Sequence, residues 1–251
     1  MNARKVAIVT GSGKRRIGWH VAAALAARGY GLVVHYRSSA AEAAETVSNL
    51  TGAGAEAIAV GADLRDEQAV HGLVDQTLKR FGRVDVLVNC AATWSSKKLE
   101  EITAADVRAS FETNTLGTFL ASQQLGLVMT RQAEGGNIIL LGDWAIKRPY
   151  LNYAAYFASK GTIPTLTRCL AVELGTRNPR VRVNCIMPGP VMMPRDVPEE
   201  ERRQAIQGTL VRAEGKPENV VQAALFFIDN DFVTGTCLPV DGGRSIYASE
   251  D

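Results

Sequence analysis

Tyr156 and Lys160 stand four residues apart in Tyr156-Phe157-Ala158-Ser159-Lys160. On a helix this spacing puts both side chains on one face. A phenol with a pKa of ~10 exchanges protons poorly near neutrality. An ammonium ~4 Å away, at an effective dielectric of ~20, is worth roughly 4 kcal/mol. The spacing therefore predicts a tyrosine whose pKa falls by up to about three pH units, into a range useful for proton transfer. Tyr150 and Tyr153 are close by, but Ala154 and Phe157 stand where their lysines would have to be.

A second constellation suits an anion. Thr10-Gly11-Ser12-Gly13-Lys14-Arg15-Arg16-Ile17-Gly18 follows an apolar run and opens a helical pattern. Glycines allow a tight turn and close backbone approach, and a helix N-terminus offers free N–H groups to a pyrophosphate. Four residues separate Gly13 from Gly18, so the spacing departs from G-x-G-x-x-G, and a plain turn is the alternative. The next apolar run ends His35-Tyr36-Arg37-Ser38-Ser39, with no acid before Glu42. An acid there would bind a ribose 2′-OH; Arg37 and the two serines suit a 2′-phosphate instead, which points to NADP(H). A solvated turn with a capping serine is the other reading. Asp63 is expected beside the adenine ring.

These residues need a frame. Apolar runs recur at Val6–Val9, Leu32–His35, Ala57–Val60, Val84–Val88, Ile138–Leu141, Val181–Ile186 and Cys237–Val240. Near-continuous apolar runs are expected of parallel strands covered on both faces. Helical patterns lie between them: one from Ile17 to a cap at Gly29, then about 40–50, 66–80, 111–131, 153–174 and 218–228. Thr103 and Asp106 resemble a capping pair. Pro164 cannot donate to the Lys160 carbonyl, so the helix over 153–174 is expected to bend or take up water there. The alternation predicts an α/β fold: a doubly wound, mostly parallel seven-stranded Rossmann-type sheet with helices on both faces. In such a sheet ligands bind outside the carboxyl ends of the strands.

The chain has 251 residues, 46% of them apolar, enough for one domain over 1–251. A net charge of +2 and dispersed basic residues point away from nucleic acid. Cys90, Cys169, Cys185 and Cys237 lack metal-ligand spacing and read as reduced thiols, with no metal expected. No signal-peptide pattern and no membrane-length apolar run is present, so a cytoplasmic protein is expected.

The ordered set resembles the short-chain dehydrogenase/reductase family over nearly the whole chain. Thr10-Gly11 to Gly18 resembles its cofactor loop. Val88-Asn89-Cys90-Ala91 resembles its Asn-Asn-Ala-Gly strand end, with Cys90 and Ala92 as departures. Tyr156 to Lys160 matches its Tyr-x-x-x-Lys signature, Pro188-Gly189 its nicotinamide loop and Asp241-Gly242-Gly243 its C-terminal turn. The resemblance implies that Gly11, Gly13, Arg16, Ile17 and Gly18 hold the pyrophosphate side of NADPH. Tyr36, Arg37, Ser38, Asp63 and Leu64 would surround its adenosine. Asn89, Ala91, Lys160, Pro188, Gly189 and Val191 would line the nicotinamide side. It also implies that Lys160 holds the nicotinamide ribose and that Asn114 positions Lys160 through water. A polar kink in a helix is the alternative for Asn114. A homotetramer assembled through the helices near 111–131 and 153–174 is a further implication.

Most members carry a serine thirteen residues before the tyrosine; here Asp143 stands there, in Gly142-Asp143-Trp144. A carboxylate beside a developing alkoxide is repulsive, whereas a substrate with ring N–H groups would suit it. The resemblance is closest to the pteridine and dihydromonapterin reductases. They share that aspartate, an arginine at the position of Arg16, a similar His-Tyr segment before Ser-Ala-Ala-Glu-Ala, and an aromatic at the position of Trp94 that stacks on the pterin. The loop is one residue longer than in some of them, and Ala92 replaces a serine. Asp143 as a turn cap, Trp94 as packing and Arg16 as a pyrophosphate ligand alone are the plainer alternatives. Residues 190–215, with Met192, Met193 and Pro194, are the expected substrate lid and name no ligand. Three functions compete: an NADPH-dependent reductase of a pterin-like N-heterocycle using Arg16, Trp94, Asp143 and Tyr156; a general carbonyl or 3-oxoacyl-thioester reductase; and a non-catalytic NADP(H) sensor.

Overall fold

The computed structural model describes residues 4–193 and 197–247; Pro194 of the expected lid lies outside them. Among the described residues seven parallel strands form one sheet: β1 (Val6–Thr10), β2 (Gly31–Tyr36), β3 (Ala57–Gly61), β4 (Val86–Asn89), β5 (Gly136–Leu141), β6 (Val181–Pro188) and β7 (Cys237–Val240). Their order is β3-β2-β1-β4-β5-β6-β7, so the winding reverses between β1 and β4. The crevice at that reversal lies outside the carboxyl ends of the strands. The helices are α1 (Ile17–Ala27), α2 (Ala40–Gly52), α3 (Glu67–Phe81), α4 (Ala104–Phe111), α5 (Gly117–Thr130), α6 (Ala154–Lys160), α7 (Ile163–Gly175), α8 (Glu199–Gln207) and α9 (Pro217–Asp229).

The strands read as apolar throughout because both faces are covered. Ile8 points into a core with Leu73 of α3, Leu125 of α5 and Ile163 of α7. Its neighbours Ala7 and Val9 point into a second core with Leu25 of α1 and Phe227 of α9. The alternation of side chains along a strand thus feeds two cores from one sheet. Local signals set the helix ends. Asp66 caps α3 by accepting from the Gln68 and Ala69 amides, and Gly82 closes it in the left-handed region at φ 75°. Thr103 and Asp106 form the expected reciprocal capping box on α4.

Three expectations change. The helix expected over 111–131 begins earlier, as α4, and runs through a π segment, Glu112–Leu116, into α5. One extra residue in the turn re-aims the side chains there, and it buries Asn114. The helix expected over 153–174 is two helices parted at Gly161 and Thr162. Pro164 falls in the first turn of α7, where its missing N–H costs nothing. The segment expected to be a lid carries a helix, α8, whose Glu- and Arg-rich sequence has no apolar stripe to announce it. Among the described residues no helix is long and apolar enough to cross a membrane.

Gly135, at the entry to β5, tests the packing of this frame. It has φ 68°, and a Cβ there would land on the Arg180 carbonyl. Gly135→Ala is expected to cost about 3 kcal/mol, lowering Tm by roughly 5–10 °C in a thermal melt.

Candidate active site

The loop after β1 is built as a cradle. Gly11 takes φ 64°, and a Cβ on it would lie 3.0 Å from the Ala91 backbone. A Cβ on Gly18 would lie 3.2 Å from the Gly11 carbonyl. Gly13 packs against Tyr36, Ser39 and Ala43, so the loop lies flush on β2 and α2. The Ser12 hydroxyl donates to the Val9 carbonyl at 2.7 Å, and Thr46 donates to the Gly13 carbonyl at 3.0 Å. α1 begins at Arg16 with no side-chain cap and no acid in its first turn. An uncapped N-terminus facing a glycine turn fits a dinucleotide diphosphate. Ile17 opens the helix, and Arg16, at its N-cap, is exposed.

At the carboxyl end of β2, Arg37 and Ser38 are exposed and free of acidic neighbours in sequence. Asp63 has a partner that sequence reasoning missed. Arg65 grips both carboxylate oxygens, at 2.6 and 2.9 Å, and holds the carboxyl down to about 2, with Arg37 adding a weaker pull. An acid followed two residues later by arginine was the available signal. Leu64 is buried against Gly117 and shapes the wall beside it. Asn89 turns its amide inward, donating to Ser122 at 2.9 Å and accepting from Thr10 at 3.4 Å. Thr10 in turn accepts from the Ala91 amide at 3.0 Å, which ties the ends of β1 and β4 together.

The proton-handling groups converge from β5 and α6. The Tyr156 hydroxyl donates to Asp143 at 2.6 Å, and the other Asp143 oxygen accepts from the Ala145 amide at 2.8 Å. Asp143 is therefore both a turn cap and the partner of Tyr156. Lys160 is buried and donates to the Leu141 carbonyl at 2.7 Å. This corrects the expected ionisation of Tyr156. Its pKa is pushed well above the ordinary phenol value, first by burial and then by the Asp143 charge. The Lys160 ammonium, itself lowered by burial, draws on Asp143 instead. Burial also raises Asp143 above the usual carboxylate range. A carboxyl and a phenol 2.6 Å apart, each with its proton affinity raised by burial, can act as a relay: when protonated, Asp143 can donate to the phenol oxygen and release the Tyr156 O–H toward a substrate.

Asn114 is buried in the π segment. Its amide donates to the Thr93 carbonyl at 3.1 Å and to Ser159 at 2.9 Å, and its oxygen accepts from the Thr93 amide at 2.9 Å. It clamps the loop after β4 to α6, the helix that carries Tyr156 and Lys160. That loop presents Trp94, 45% exposed, stacked on Tyr153 with ring centroids 5.0 Å apart. Tyr153 in turn meets Tyr150 edge-on and lies 6.4 Å from the Tyr156 ring. An aromatic wall therefore leads to the proton relay. Sequence reasoning named Trp94 but passed over Tyr153 because it has no lysine partner.

Across the crevice, Gly189 at the end of β6 donates to the Val240 carbonyl at 2.9 Å, with no space for a Cβ between it and Asp241. Pro188 precedes it, and Val191 bridges to Gly215. The Met193 amide donates to Glu214 at 3.0 Å, and Arg202 of α8 pairs with the same carboxylate at 2.6 Å. The segment between β6 and α9 thus leaves and returns through one neck.

The comparisons agree with this architecture. A family model described as "Enoyl-(Acyl carrier protein) reductase" matches residues 11–245. An uncharacterized oxidoreductase of Methylorubrum extorquens is 35% identical, covering 95% of this chain and 97% of its own. Glucose 1-dehydrogenase 2 of Bacillus subtilis is 32% identical, covering 98% and 96%. The structure of a short chain dehydrogenase from Burkholderia cenocepacia in complex with NADP superposes with a TM-score of 0.87 at 32% identity, covering 96% and 97%. The cradle, the Tyr–Lys helix and these likenesses together place the chain in the short-chain dehydrogenase/reductase family, as an oxidoreductase.

Proposed function

We propose that the enzyme reduces a flat N-heterocycle of the pterin kind with NADPH. The observation that carries this reading is Asp143, hydrogen-bonded to Tyr156 at 2.6 Å, with an exposed indole reached from Tyr156 through Tyr153. When bound, the dinucleotide supplies a hydride; the family uses NAD(P) for this purpose. Gly11, Gly13, Ile17, Gly18 and Arg16 hold its diphosphate. Tyr36, Arg37, Ser38, Asp63 and Leu64 border its adenosine, and Asn89, Ala91, Pro188, Gly189 and Val191 shape the nicotinamide end. Lys160 holds the adjoining ribose. Trp94 stacks on the substrate ring, and a planar heteroaromatic suits indole well. Tyr156 delivers a proton to ring nitrogen, and Asp143 restores it. Arg16 braces the rim, the segment 190–215 serves as the lid, and Asn114 keeps the relay aligned with the wall.

Arg37 carries the choice between NADPH and NADH. Arg37→Ala is expected to raise the Kd for NADPH by about 10- to 100-fold, from the ~1.5–3 kcal/mol of a charge-assisted hydrogen bond, and to leave NADH unchanged. Fluorescence titration with both nucleotides checks this.

A second reading, a carbonyl or 3-oxoacyl-thioester reductase, is favoured by relatives such as the glucose 1-dehydrogenase. The assay that separates the two follows NADPH oxidation at ~340 nm, an absorbance the oxidised cofactor lacks. Dihydrobiopterin and dihydrofolate are compared with acetoacetyl-CoA and simple ketones. Turnover of the pterins is expected; turnover of the carbonyls alone would overturn the heterocycle reading. The sensor reading gives way to membership in an oxidoreductase family. We further propose one domain, a cytoplasmic location and a homotetramer. α5 and α7 support the tetramer by exposing Phe119, Leu127 and Val172.

A further inference from the structure

Beneath the turn that carries Asp143, two thiols meet across the last pair of strands. Cys185 on β6 and Cys237 on β7 are register partners. Both belong to one core face, Cys185 within the buried cluster and Cys237 packed against it. Neighbouring strands run ~4.8 Å apart, inside the ~4.4–6.8 Å Cα range that a disulfide can span. The Cys185 thiol donates to the Ile186 carbonyl at 3.5 Å, and the two thiols differ in character. Cys185 is fully buried and its thiol is pushed up, by the neighbouring Cys237 and by burial. Cys237 is half-buried and its thiol is lowered, first by the neighbouring Cys185, then with help from Arg168, Thr167 and Lys147. A lowered, partly accessible thiol beside a buried partner is the arrangement of an attacking and a resolving cysteine.

We propose that Cys185 and Cys237 form a redox-responsive dithiol that a hydroperoxide closes to a disulfide, and that closure slows the enzyme. The Cys237 thiolate attacks one peroxide oxygen. The O–O bond breaks, Cys237 becomes a sulfenic acid, and the other oxygen leaves as hydroxide, which is protonated to water when the oxidant is hydrogen peroxide. The Cys185 sulfur then attacks the sulfenic sulfur. The S–S bond forms, the S–O bond breaks, and a second water leaves with the Cys185 proton. The two thiols lose two electrons and the peroxide gains them.

Closure reaches the relay through one residue. The Cys185 sulfur lies under Gly142, only 2.9 Å from where a Cβ on that glycine would be. The Gly142 amide donates to the Ile186 carbonyl at 2.8 Å, and Asp143 follows at once. Drawing the sulfur toward β7 removes the support beneath the residue that precedes Asp143.

The test treats the reduced protein with a small molar excess of hydrogen peroxide. Peptides are mapped by mass spectrometry without reduction, and NADPH-dependent turnover is measured before and after. The expected result is a linked Cys185–Cys237 peptide pair, lighter by two hydrogens, with turnover lowered several-fold and restored by dithiothreitol. Cys237→Ser should keep basal turnover and lose both responses, while Cys169→Ser, which removes an exposed thiol, should keep both. A sulfinic acid at Cys237 without the link overturns the proposal. So does a link with unchanged turnover, or a loss of turnover that persists in Cys237→Ser. The mass measurement needs no substrate, so its failure is separable from failure of the heterocycle assignment.

Discussion

Tyr156→Phe and Asp143→Asn are each expected to lower kcat by about 10²- to 10⁴-fold, and the double variant to lose little more than either alone. The two side chains share one hydrogen bond at 2.6 Å and, in the proposed relay, act on one proton. Removing the phenol breaks the only link from Asp143 to substrate in the proposed relay. Removing the carboxyl leaves a phenol whose own proton is held more tightly than in water, because burial disfavours its anion. Independent contributions would multiply; a shared step cannot be lost twice. The pH profile carries a second signature. Asp143 is raised by burial and must be protonated to free the Tyr156 O–H for the substrate. Reductive kcat should therefore fall as pH rises through the Asp143 titration, and that limb should vanish in Asp143→Asn. Steady-state kinetics at saturating NADPH from acid to mildly alkaline pH measures both. Multiplicative losses, or an unchanged limb in Asp143→Asn, would mean that the carboxyl only caps the turn at Ala145.

The failed expectation for Tyr156 shows where sequence stops informing chemistry. The spacing of Tyr156 and Lys160 places both on α6, and the structure keeps them there. What faces them comes from β5. The Leu141 carbonyl takes the Lys160 ammonium, and Asp143 takes the phenol. Those partners stand thirteen and nineteen residues upstream in another element, so no local pattern shows which of them wins. The strands were legible for the opposite reason: Ile8 and Val9 are buried on opposite faces, and an apolar run records that directly. The cradle was legible because Gly11 needs φ 64°. The π segment was hidden, since a single inserted residue around Asn114 leaves the run of helix-forming residues intact. Helix α8 was hidden because it has no buried residue. Asp63 was read toward a ligand, and its neighbour Arg65 makes it half of an ion pair.

Acidification from pH 7 to pH 4 is expected to cost the wild-type fold about 3 kcal/mol at His35 alone, at ~1.4 kcal/mol per tenfold change in proton affinity. His35 is buried at the end of β2 and joins three strand ends. Its Nδ1 accepts from the Gly11 amide at 3.1 Å, and its Nε2 lies 3.0 Å from the Ala62 carbonyl. Because a carbonyl only accepts, Nε2 carries the proton and the ring is neutral. Burial lowers the pKa to about 4, against opposing pulls from the Ala62 bond and the Asp63 charge. The unfolded chain takes up the proton near ~6.5, so between there and about 4 the unfolded state holds more protons and stability falls with pH. The full contribution is present above ~6.5. Asp143, raised by burial, works the other way in the same window, so the wild type alone does not isolate His35. His35→Gln keeps a donor and an acceptor and does not titrate. Urea midpoints at pH 7 and pH 4 should therefore converge more for this variant than for wild type, by that ~3 kcal/mol. Protonation would also set a second donor against the Gly11 amide, in the turn proposed to cradle the diphosphate. NADPH affinity should accordingly weaken in wild type before the fold is lost, and hold in His35→Gln. Equal pH dependence in the two proteins would show that His35 does not couple the cradle to the solvent proton.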